Sequence, residues 1–216
     1  YASFATSANP VGADAGDGSE TGLNANLQDL DPEKARTFEI GTKWDLLDKR
    51  LNLTAAIFRT EKQNTRIQLD PNTYTNGGES KVDGIELGVN GNITDKWAVS
   101  AGHTYLDSES TKNGLSCRGD KCTDQTKFNG NQMPNVPKNS ATLWTTYQVL
   151  PQLSLGGGAV YSDKVYGNLD NTKWVPSYVR YDAMARYNIN KDVNLQLNIN
   201  NLSDKRYFTK AYASHY

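Results

Sequence analysis

The chain has 216 residues with 23 basic against 24 acidic side chains, a net charge of -1, and carries no basic cluster dense enough for a polyanion, which excludes nucleic acid as a partner. Its longest nearly apolar run, Leu53 to Phe58 with one threonine in it, falls far short of the roughly 20 residues that a membrane-spanning helix needs. A mean hydropathy of -0.69 suits a soluble protein, yet a β-barrel hides its apolar residues at alternate positions and averages just as low, so the membrane stays open.

The chain begins in a strand, Tyr1 to Thr6, with no initiator methionine and no charged-then-apolar leader, and reads as an internal piece of a longer protein. A polar stretch, Asn9 to Asp31, follows; its acidic, glycine-rich part from Asp14 to Glu20 has carboxylates for calcium but lacks the regular ligand spacing, so a solvated loop is expected. From Thr37 to Leu46, Phe38, Ile40, Thr42, Trp44 and Leu46 alternate with Glu39, Gly41, Lys43 and Asp45. This period of two belongs to a strand with one face for lipid and one for water. The turn Leu47 to Arg50 returns the chain into a strand from Leu51, and a loop near Gln68 to Gly78 leads to Ile85, Leu87 and Val89 alternating with Gly84, Glu86, Gly88 and Asn90.

The pattern then repeats. Turns at Thr94 to Lys96, Leu150 to Gln152 and Asn190 to Asp192 are short, whereas the connections near Ser108 to Asn135 and Val165 to Pro176 are several times longer. Strands start at Trp97, Asn139, Leu153, Tyr178 and Val193, the last with Leu195, Leu197 and Ile199 alternating with Gln196 and Asn198. Short turns at one end and long loops at the other are the arrangement of a transmembrane antiparallel β-barrel. Trp44, Tyr147 and Tyr187 stand three residues before a turn and Trp97 directly after one, as an interfacial girdle requires. A water-soluble antiparallel sheet with aromatics in its core is the competing reading. Nine strands leave two open edges, so the fold class expected is all-β, a partial barrel whose first and last strands pair with others.

Four segments carry a family resemblance. Pro32 to Lys43 resembles the "PE-x-x-x-x-x-E-x-G-x-K" strand of TonB-dependent outer-membrane receptors, Val82 to Glu86 its "V-x-G-x-E" strand, Asn135 to Ala141 its "N-x-P" strand entry, and Asn200 to Tyr207 its "N-x-L-x-D-K-x-Y" strand end. Ser140 to Tyr147 and the ending Tyr212 to Tyr216 are similar to the siderophore-receptor branch, particularly receptors for ferric catecholates. The resemblance implies a barrel of about 22 strands holding an N-terminal plug, of which residues 1–216 would be the C-terminal portion, without plug or TonB box. Gly156, Gly157 and Gly158 inside a strand suggest a bulge or a close contact with a plug filling the lumen. It also implies location in the bacterial outer membrane and uptake of a ferric siderophore energised through TonB. No cofactor would be bound, the Fe(III)–siderophore complex being cargo, and the remaining partners would be outer-membrane lipid and lipopolysaccharide. This is transport without covalent chemistry, and no nucleophile elbow, HExxH or phosphate-cradling glycine loop is present in the sequence. A passive porin and an outer-membrane enzyme are the other two function classes.

With short turns in the periplasm, the external loops are those near residues 9–31, 68–78, 108–135, 165–176 and 203–216. A catecholate complex is flat, aromatic and anionic, so a cationic side chain beside an aromatic one suits it. The candidates by that rule are Arg66, Tyr74, Lys127, Phe128, Tyr166, Lys173, Trp174, Arg206, Tyr207 and Tyr212, against the alternative of solvated loop residues and upper-girdle aromatics. Arg180, Arg186, Glu39 and Glu86 are expected to line the lumen against the plug. Cys117 and Cys122, the only cysteines, fall in one external loop and are expected to pair there, shaping the loop locally.

Overall fold

Alternation of the kind just described lets every backbone N–H and C=O between the turns be paired across strands, which is the condition for crossing hydrocarbon without helices. The computed structural model describes residues 1–10, 30–70, 73–118 and 120–211; Asp14 to Glu20 and Tyr212 to Tyr216 lie outside the described residues. Strands run β1 Ala2–Asn9, β2 Glu33–Leu46, β3 Leu51–Gln68, β4 Tyr74–Thr94, β5 Trp97–Lys112, β6 Leu115–Arg118, β7 Lys121–Asp124, β8 Asn139–Gln148, β9 Leu153–Ser162, β10 Val165–Tyr166, β11 Trp174–Val175, β12 Tyr178–Asn188 and β13 Asn194–Ile199. All pairings are antiparallel, and the main sheet has the order β1-β2-β3-β4-β5-β8-β9-β12-β13, with β6 attached to β3 and β7 to β6, and β10–β11 forming a separate hairpin. The four short turns fall at the expected places, the one after β2 being a run of left-handed residues, Leu47, Asp48 and Lys49, with φ of 51°, 55° and 67°.

Register settles which side chains share a face. One row reads Leu197, Ala185, Leu155, Tyr147 and Trp97 across five strands, and another Ala2, Ile40, Ile57, Ile85 and Tyr105. Every exposed large apolar side chain described in these nine strands lies on this same face, including Leu195 at 67%, Ile40 at 63% and Leu197 at 61%. A water-soluble sheet would bury such a face. The predicted girdle residues Trp44, Trp97, Tyr147 and Tyr187 all belong to it, at the short-turn end. From Trp97 to Tyr105 the strand rises about 26 Å, or about 20 Å along a barrel axis tilted by about 40°, close to the usual apolar band of about 25 Å. One row above Ile57 and Ile85 the face turns ionic: Arg59 Nε and Nη2 donate to the two Asp83 carboxylate oxygens at 2.6 and 2.9 Å.

The opposite face carries Glu39, Glu86, Arg180 and Arg186, registered against Phe58, Ala56, Val160 and Gln196. Here the glycines find their reason. The register through Gly156, Gly157 and Gly158 is unbroken on both sides, so no bulge is present; instead the Trp144 ring lies across Gly156 and Gly158 from the neighbouring strand. Phe58 lies over Gly84 and Tyr1 over Gly41 in the same way, and a Cβ added at either glycine would overlap the ring. Large lumen-facing rings thus lie flat against the wall.

Two loop boundaries move. The expected loop at 68–78 is only the link between Gln68 and Tyr74, because β3 and β4 stay paired up to Gln68↔Tyr74, with a register shift between Lys62 and Thr65. The expected loop at 108–135 begins with the last strand residues to Lys112 and contains the β6–β7 hairpin. These segments are polar on both faces, which removes the alternation signal while the hydrogen-bond ladder continues.

Two variants test the face assignment. Leu197→Arg near mid-bilayer should cost roughly 2 to 4 kcal/mol of folding into lipid vesicles and Asn198→Arg much less; equal penalties would remove the lipid face. Gly84→Ala should cost about 1 to 3 kcal/mol by forcing Phe58 off the wall, and adding Phe58→Leu to it should recover much of that loss in a denaturant titration. No recovery would mean that the ring is not what the missing Cβ accommodates.

Candidate functional site

At the end of the sheet opposite the short turns, the connections fold on one another. The described residues contain only three buried apolar side chains, Val165, Val175 and Ala211, and all three lie there. Two of them come from the β10–β11 hairpin, in which Val165 is registered with Val175 and Tyr166 with Trp174. Because a strand sends neighbours to opposite sides, burying the valines turns Tyr166 and Trp174 together away from that core. Trp174 is 52% exposed. The Lys164 ammonium sits 5.0 Å from the centre of the Tyr166 ring, so an aromatic pair and a cation share one outward face.

The hairpin's own turn is built from side chains. Asn168 Oδ1 accepts from the Lys173 backbone N–H, and the Asp170 carboxylate accepts from the Thr172 hydroxyl at 2.7 Å and its backbone N–H at 3.1 Å. Those bonds, the hydroxyl one first, hold the Asp170 carboxyl below the usual carboxylate range. The contribution to turn order is complete above the ordinary carboxylate pKa and is lost only as pH falls through the lowered one.

The sequence-predicted residues that the structure describes divide among four places. Tyr166, Lys173 and Trp174 are on the hairpin. Tyr207, with Arg206, belongs to the segment after β13, which folds back over the lumen face: its ring stacks on Tyr178 at 4.4 Å between centres, and its hydroxyl accepts from Arg180 Nη1 at 3.3 Å. Lys127 and Phe128 sit in a single 3-10 turn, Thr126–Phe128, with the Lys127 ammonium 4.9 Å from the Phe128 ring centre. Arg66 and Tyr74, expected in a loop, are instead in the β3–β4 ladder, where the Tyr74 hydroxyl accepts from Gln68 Nε2 at 2.8 Å. Gln68 also accepts from the Cys117 backbone N–H at 2.7 Å, tying that ladder to the β6–β7 hairpin, whose Cys117 and Cys122 are disulfide-bonded with sulfurs 2.00 Å apart. Tyr212 lies outside the described residues.

Sequence reasoning missed Lys164. It stands one residue before the expected loop at Val165 to Pro176, where it reads as the end of a strand. The lumen wall below carries the Arg180–Asp182 pair at 2.8 Å, with the Asp182 carboxylate also accepting from the Asn201 backbone N–H at 2.8 Å. Among the described residues of this mouth, the Lys164 ammonium and the Tyr166 ring stand together, with Trp174 on the same face of the hairpin.

The chain is similar to known proteins in sequence and in fold. A family described as TonB dependent receptor-like, beta-barrel matches residues 1–202. The chain is 78% identical over its whole length to the probable TonB-dependent siderophore receptor PiuA of Acinetobacter baumannii and 37% identical to the catecholate siderophore receptor Fiu of Escherichia coli K12, spanning 29% and 28% of those proteins. It therefore covers less than a third of the length of these curated relatives. Among solved structures, the siderophore receptor PiuA from A. baumannii superposes with a TM-score of 0.94 over all of this chain and 31% of that one, and the closed form of Fiu from E. coli K12 with 0.79 over all of this chain and 30% of that one, at 34% identity. The match along nearly every residue, the antiparallel sheet with one lipid-facing side and the mouth of linked loops together place this chain in the TonB-dependent receptor β-barrel family, in the outer membrane of a Gram-negative bacterium.

Proposed function

We propose that this chain is the later part of the barrel of a receptor that takes up a ferric siderophore of the catecholate class, energised through TonB by the plug and box that the family carries. The observation that carries the reading is the outward face of the β10–β11 hairpin, where Lys164, Tyr166 and Trp174 stand together at the external mouth. A catecholate chelate of Fe(III) presents aromatic faces under a negative charge. Trp174 and Tyr166 offer planes for stacking, and Lys164 offers the countercharge beside them. The names of the relatives support the class: one is a siderophore receptor and one a catecholate siderophore receptor. The iron complex is cargo, and the reading includes no covalent step and no resident cofactor. Outer-membrane lipid, lipopolysaccharide among it, covers the apolar outer face in this reading. A passive porin is the weaker alternative, because the relatives that match the whole chain are receptors.

The test uses the whole receptor in detergent, titrated with ferric tris(2,3-dihydroxybenzoate) and followed by tryptophan fluorescence. Trp174→Ala and Lys164→Gln should each weaken binding by about three- to tenfold, and the lysine variant should also flatten the salt dependence. Lys191→Gln, in a periplasmic turn, should bind as wild type. Wild-type affinity in both hairpin variants would show that the chelate does not touch this face.

A further inference from the structure

The segments at the mouth converge on one side chain. Asn135 has φ of 60°, a left-handed backbone that asparagine tolerates better than most residues. Its backbone N–H donates to the Tyr166 carbonyl at 2.8 Å, and its Oδ1 accepts from the Ala211 N–H at 2.8 Å, a contact across 76 residues of chain. Ala211 is 1% exposed and packs with Val165 and Val175. Just before Asn135, Gln132 and Asn171 are locked reciprocally: Asn171 Oδ1 accepts from the Gln132 N–H at 3.0 Å while Asn171 Nδ2 donates to the Gln132 carbonyl at 2.9 Å. The Met133 N–H donates to the hydroxyl of buried Ser108 at 3.3 Å, anchoring the stretch to the barrel wall.

From this geometry we infer that Asn135 is a positioning residue, the three-way junction that holds the 129–138 loop, the β10–β11 hairpin and the 201–211 segment as one body, and so sets Tyr166 and Trp174 relative to Tyr207 for ligand. The part concerning ligand rests on the function proposed above; the junction itself does not. The backbone bond alone would join two segments. The side-chain bond brings in the third, which carries Tyr207 to the lumen wall at Arg180. A small apolar core of three residues is too little to align these segments without such directional bonds.

Two substitutions separate the bond from the backbone conformation. Asn135→Gly keeps the positive φ and removes the acceptor for Ala211, whereas Asn135→Asp keeps a carboxylate oxygen in its place. Hydrogen exchange on the whole receptor should show Asn135→Gly speeding exchange by about tenfold at Ala211 and also at Gln132, whose amide links the loop to the hairpin, and at Gly167, whose amide bonds within the hairpin. Asn135→Asp should stay near wild type at all three. Binding of ferric tris(2,3-dihydroxybenzoate) should weaken by about tenfold in the glycine variant and recover in the aspartate one. Faster exchange confined to Ala211 would overturn the junction, and coupled exchange with unchanged chelate affinity would overturn the positioning role. If the wild-type receptor itself does not bind the chelate, the functional reading fails and the exchange pattern alone decides on the junction.

Discussion

Hydrocarbon offers a peptide group no hydrogen-bond partner, so each N–H and C=O that crosses it has to find one in a neighbouring strand. Everything else in this molecule depends on that pairing. Once the backbone is committed to ladders, neighbouring side chains are forced to opposite sides, and a single register assigns Leu195, Leu197 and Ile199 to lipid and Gln196 and Asn198 to the lumen. The usual logic of a globular core is inverted. Large apolar residues lie outside, and the few buried apolar residues described are at the mouth, where no lipid is available to cover them.

The same ladders explain the lumen wall. Rings of Tyr1, Phe58 and Trp144 on the wet face would project into the passage if their neighbours had side chains. Glycines at 41, 84, 156 and 158 let them lie down instead, which keeps their apolar surface against backbone and leaves the passage to polar groups such as Glu39, whose carboxylate accepts from the Tyr1 hydroxyl at 2.7 Å. Glycine costs a strand some order, and the flattened ring offsets part of it by packing.

How much of this the sequence disclosed follows from where period two survives. Alternation from Thr37 to Leu46 and from Asn194 to Ile199, with short polar turns between strands, makes the sheet, its order and its lipid face legible. Beyond the membrane both faces of a strand meet water, so Tyr74 to Ser80 reads as loop although it is paired strand. The glycine triplet suggests a bulge or a close plug contact rather than the Trp144 ring that lies there, since the register that brings them together is not written locally. The cation-beside-aromatic character of the β10–β11 hairpin is visible in residue types alone, while the linking role of Asn135 is not: an asparagine before Val136-Pro137 looks like an ordinary strand entry, and its partners lie 31 and 76 residues away.

The two halves of this stretch of rim reach outward by different means. On one side β3, β4 and β5, with 18, 21 and 16 residues, continue above the membrane as one ladder braced by Lys81–Glu109 and Arg59–Asp83. On the other, β8, β9 and β12 stop at 10, 10 and 11 residues, and what rises above them is held by asparagine and glutamine side chains. A continuous ladder opens only by losing many bonds together, whereas a side-chain-linked cap can part from the wall by losing a few. The two sides of this rim therefore differ in cooperativity: the ladder side comes apart only as a unit, and the hairpin side depends on a handful of separate bonds.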